Sequence, residues 1–89
     1  MAGPFTGMDI EAVKALATQL NTRADDIRHL MTQLTTQLNN TQWVGADASR
    51  FQEEWQSQHC VALNSVITGL TDAASRANNN AIEQANASM

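Results

Sequence analysis

His29, His59, Cys60 and nine carboxylates are the side chains of this 89-residue chain suited to acid–base, nucleophilic or metal chemistry. Their spacing argues against each use. A metal or acid–base site needs ligands that converge. His29 falls on the outer face of a helical pattern, and His59 falls on an inner row and reads as a histidine at the rim of a core. Cys60 sits in the run Cys60-Val61-Ala62-Leu63 and reads as a small buried hydrophobe. Its neighbour His59 cannot activate it, because adjacent residues on a helix do not face one another. A lone cysteine also has no internal disulfide partner. Glu53 and Glu54 point in different directions, as do Asp25 and Asp26, with Arg28 three residues past Asp25. Asp72 and Arg76 have the i,i+4 spacing of a surface ion pair. No GxxxxGK, HExxH, CxxC or glycine-rich phosphate loop occurs. A two-helix hairpin offers no deep cleft that excludes water. The expectation is a protein that is not an enzyme, with no catalytic, metal or cofactor site.

The composition narrows the remaining classes. Eighty-nine residues fit one domain. Hydrophobic content of 43% is that of a folding chain, yet aromatics are only 4% and tyrosine is absent. The single proline is Pro4, and two glycines follow residue 8, so long helices are favoured over strands. The net charge of −4, with five basic residues spread along the chain, argues against nucleic acid and against a polybasic membrane anchor. The N-terminus has neither the basic nor the apolar segment of a cleavable signal peptide. No apolar run reaches 18 residues. These features predict a cytoplasmic chain that leaves the cell, if it does, by a route that reads no such signal.

The apolar spacing supplies the elements. Residues 1–8, with Gly3, Pro4 and Gly7, are expected to be a flexible arm. Asp9 then makes a good N-cap, with Glu11 in the first turn. Ile10, Val13, Ala17, Leu20, Ala24, Ile27, Met31, Leu34 and Leu38 follow at alternating spacings of three and four, an unbroken heptad seam. Leu16 and Leu30 widen it. This predicts helix one over about 9–40, a rod of roughly 45 Å. Asn39 to Gln42 form helices poorly and end it.

Trp43-Val44-Gly45, at mid-chain between two helical patterns, predicts the turn of a hairpin, with Trp43 over the end of the bundle. Helix two is expected over about 46–80, capped by Asp47. Its inner row reads Ala48, Phe51, Trp55, His59, Ala62, Val66, Leu70, Ala73 and Ala77. A second row reads Cys60, Leu63, Ile67, Leu70, Ala74, Ala77 and Ala81. Two adjacent rows are wider than one partner helix covers. The predicted fold is therefore all-α, a helix-turn-helix hairpin that dimerises into a four-helix bundle. Gly69 and Asn78-Asn79-Asn80 are expected to interrupt helix two, leaving 81–89 as a flexible tail.

The local pattern Trp43-Val44-Gly45-Ala46-Asp47-Ala48-Ser49-Arg50-Phe51, followed by Trp55, resembles the WXG family of small type VII secretion substrates, the ESAT-like proteins of actinobacteria named also for the early secretory antigenic target. The resemblance covers residues 8 to about 80. It implies helical hairpins that pair antiparallel into four-helix bundles and are exported folded, as dimers, by a membrane-embedded machine with an ATPase. It implies secreted virulence or competition factors, or export partners of other substrates. Trp43 and Gly45 carry over as the turn and secretion motif. Many exported pairs carry a C-terminal Tyr-x-x-x-Asp/Glu signal, and this chain has no tyrosine. The resemblance thus favours a heterodimer whose partner carries the signal over a homodimer with a different tail signal around Ile82 and Glu83. Two other readings compete: a non-secreted helical oligomerisation module, and a membrane-active hairpin, the latter disfavoured by the lack of a basic face.

Overall fold

The computed structural model describes residues 7–87; the rest of the expected arm and the last two residues of the expected tail lie outside them. Among the described residues the chain is all helix and no strand. Helix α1 spans Ile10–Asn39, and the return limb consists of α2 (Ala46–Glu54), a π-helical turn (Trp55–His59) and α3 (Cys60–Ala87). The two limbs form an antiparallel hairpin measuring 66 × 19 × 17 Å. Its radius of gyration, 19.9 Å, far exceeds the about 12 Å of a compact chain this long. The molecule is a rod one helix pair thick.

Each boundary has a local cause. Asp9 caps α1, its side chain accepting from the Ala12 amide at 3.1 Å. Asn40 closes the other end, its amide donating to the Thr36 carbonyl at 3.0 Å. Gly45, rather than Asp47, is the N-cap of α2; it offers no side-chain cap, and its carbonyl accepts from the Ser49 amide. Asp47 lies instead in the first helical turn, where a carboxylate meets the positive end of the helix. Neither Gly69 nor Asn78-Asn79-Asn80 breaks the return limb. Helix α3 continues to Ala87, well past the expected end near residue 80, because Ala81 is wholly buried against α1's side of the hairpin and continues the seam.

The seam is built from small residues. Ala17, Ala24, Ala48, Ala74 and Ala81 are buried, and Ile67 is the one larger side chain that joins them. Ile10, Val13, Leu20, Ile27, Met31, Leu38, Trp55, Leu63 and Leu70 are half-buried along the same line. Alanine lets the helices approach closely but buries little area, and among the described residues no large side chain is fully enclosed.

Three residues expected in the core are not in the hairpin's own core. Leu34, Phe51 and Val66 are 47%, 44% and 49% exposed. Phe51 sits at the tip against Trp43; for Leu34 and Val66 the cause is a change of register. In the π-turn the Cys60 amide reaches back five residues to the Trp55 carbonyl, which inserts one extra residue into the helix. A continuous α-helix from Trp55 would turn His59, Ala62, Val66 and Ala73 inward. With the insertion, Cys60, Leu63, Ile67, Leu70, Ala74, Ala77 and Ala81 face α1, and the other row is exposed. Helix α1 makes the matching adjustment, with half-buried Thr35 taking the inward place after Met31 that the heptad count gives to Leu34.

Candidate functional site at the hairpin tip

The tip is where the chain departs most from regular helix. Gly45 has φ 123° and ψ −178°, a backbone region open essentially to glycine alone. A Cβ there would meet nothing within 4 Å. The requirement for glycine is therefore conformational and not steric.

That turn places two aromatic rings side by side. Trp43 and Phe51 have centroids 5.3 Å apart and planes tilted by 53°, a favourable aromatic geometry. Both remain nearly half exposed, and Val44, next to Trp43 in sequence, is 89% exposed. Trp43 thus packs on Phe51 and keeps 43% of its surface in solvent. Beneath it lies an open hollow of about 300 Å³ walled by Leu34, Leu38, Trp43, Phe51 and Trp55, with Gln37 and Thr41 at its polar edge.

The floor is fixed by one bond between limbs. The indole Nε1–H of Trp55 donates to Thr35 Oγ1 at 2.9 Å, partly buried. The Trp55 ring also lies 6.1 Å from the His59 ring. Thr35 carries no apolar signal, so the heptad count passed over it. The visible clue was the pair of apolar rows one residue apart after Trp55, which a π-turn reconciles.

No titratable group lines the hollow. It is suited to an apolar or aromatic side chain and holds no machinery for bond making. Among the described residues no three His, Cys, Asp or Glu side chains come together to hold a metal ion. His29 is exposed, its Nδ1 3.0 Å from the Asp25 carbonyl, and Cys60 is a half-buried free thiol. The ion pairs among the described residues are Arg23–Asp26 and Arg28–Asp25, both exposed on α1; Asp72 and Arg76 do not form the pair their spacing suggested. Among the described residues no helix is long and apolar enough to cross a membrane.

No family model matches the chain, and no curated protein or solved structure matches it either.

Proposed function

We propose that this chain is a WXG-type substrate or export partner of a type VII secretion system, acting by pairing with a second helical hairpin. The observation that carries the reading is the tip. Trp43 stands half exposed beside Phe51, and Gly45 holds a conformation that glycine alone adopts readily. A turn built only to reverse the chain has no need of two exposed rings over an apolar hollow. Such a surface is suited to recognition by another protein.

The pairing follows from the hairpin's economy. Its own seam is mostly alanine, while Leu16, Leu30, Leu34, Phe51 and Val66 are left in water. A second hairpin laid on them makes a four-helix bundle. In this reading the chain is cytoplasmic until export and secreted afterwards, with the secretion ATPase and its membrane assembly as partners and with no cofactor.

The test is export from an actinobacterial host with its type VII system intact or lacking the ATPase. The tagged chain is expected in the culture medium only when the ATPase is present. Equal amounts with and without the ATPase, or retention in both strains when co-expressed with a pairing partner, would leave a cytosolic oligomerisation module as the better reading.

A further inference from the structure

The two limbs are unequal at the tip. Facing residues have numbers that sum to about 90, as the Trp55–Thr35 bond and the groove shared by Ala17 and Ala74 fix it. Helix α1 ends at Asn39, which is therefore level with residue 51. Residues 46–50 of α2 run past the end of α1, and only 51–54 lie beside it.

Little holds α2 in that position. Of its nine residues Ala48 is buried and Glu54 half-buried, and the others are exposed. Asp47, Arg50, Glu53 and Glu54 make no ion pair among the described residues. The side-chain bond that crosses between the limbs at this level comes from Trp55, just beyond the end of α2. The first amides of α2 have no side-chain cap either, because the N-cap is Gly45. Helix α3, by contrast, sets buried Ile67, Ala74 and Ala81 along the seam.

The joint between α2 and α3 is weak as well. In the π-turn the Cys60 amide bonds to the Trp55 carbonyl, five residues back, and residues 56–59 are all exposed. Helices bend sharply at such insertions. Nine residues alone are too few for a stable helix in water, so release of α2 from α1 and loss of its helix are one event. What α2 covers is apolar. Phe51 forms one wall of the tip hollow, and Leu34 and Leu38 of α1 form another.

We propose that α2 is a lid, a unit that opens at the π-turn while α1 and α3 stay paired. Opening uncovers Leu34, Leu38 and Trp55 and frees the segment 40–54 to meet a partner protein. The Trp55–Thr35 bond sets the point at which opening stops. The opening rests on the packing just described; its use in recognition rests on the reading of the tip proposed above.

Hydrogen exchange of the purified full chain at neutral pH, read by mass spectrometry, tests this. The amides of residues 50–54 are bonded within the helix, yet they should exchange about 100-fold or more faster than those of residues 63–70. Deleting Ser57 makes the return limb one unbroken helix. It should slow exchange at 50–54 about tenfold or more and leave 63–70 unchanged. Thr35→Val removes the stop and should carry the fast exchange on to residue 59. Equal exchange at 50–54 and 63–70 would overturn the lid. Fast exchange at 50–54 that the Ser57 deletion leaves unchanged would overturn the hinge and make α2 a frayed helix end. ATPase-independent export, measured separately, would overturn the recognition reading and leave the opening standing.

Discussion

Trp55 donates its indole N–H to Thr35 Oγ1 at 2.9 Å across the hairpin, at the residue where the π-turn begins. That bond joins the two limbs where both change register. It locks the floor of the tip hollow to the body of the rod. Thr35→Val keeps the shape and removes the acceptor, leaving a partly buried N–H unpaired. It should lower stability by about 1–2 kcal/mol. Urea unfolding of Thr35→Val, Trp55→Phe and the double variant should show coupling, with the double variant less destabilised than the sum of the singles.

Gly45→Ala should destabilise the hairpin by about 1–3 kcal/mol, since L-alanine is strained at φ 123°. A synthetic chain with D-alanine at 45 reverses the sign of the allowed φ and meets no neighbour, so it should melt at or above the wild-type temperature. Equal melting of the L and D variants would remove the conformational argument.

The π-turn yields a deletion test. Removing Ser57 makes Trp55 and Cys60 neighbours at i,i+4, which a regular α-helix places on one face. Both seams survive, so helicity and thermal stability should stay equal or rise. Removing Ser65, within regular α-helix, shifts every residue beyond it off the seam and should unfold the return limb. Circular dichroism melts of the two deletions decide it.

Heptad counting located the two limbs, the tip and most of the inward line of α1, because a three-four repeat has one way to face a neighbour. It put Leu34, Phe51 and Val66 in a core shared by hairpin and dimer; the single hairpin leaves all three exposed, Leu34 and Val66 through the change of register. An inserted residue is invisible to a periodicity that fits either of two adjacent apolar rows, and only the packing of Trp55 on Thr35 selects between them. The return limb also stays helical to Ala87, beyond the expected end near residue 80. Three asparagines are poor helix formers, but buried Ala81 beyond them holds the helix in place. At the tip, Trp43 and Gly45 are legible from residue type and mid-chain position, whereas the Phe51 ring contact and the hollow beneath depend on how the two limbs pack.

Leu34→Ser and Val66→Ser change residues that the isolated hairpin leaves about half in water. Each should lower the stability of a monomeric hairpin by less than about 1 kcal/mol. Their main effect should fall on pairing. Sedimentation of each variant over a concentration series should show dissociation at concentrations where the wild type remains paired, with helicity retained in the monomer.

Trp43→Ala separates recognition from folding. Trp43 packs on Phe51 but keeps 43% of its surface in solvent, so truncation should cost only about 1–2 kcal/mol of stability. Export should drop far more than folded protein inside the cell. A collapse of thermal stability would instead assign Trp43 a structural role.

The most direct measurement is the amount of wild-type chain in culture medium, relative to a cytosolic marker, from paired strains with and without the type VII ATPase. The proposal predicts abundant chain outside the first strain and none above lysis background outside the second. Export that persists without the ATPase would contradict it, as would failure of the folded, paired chain to leave either strain.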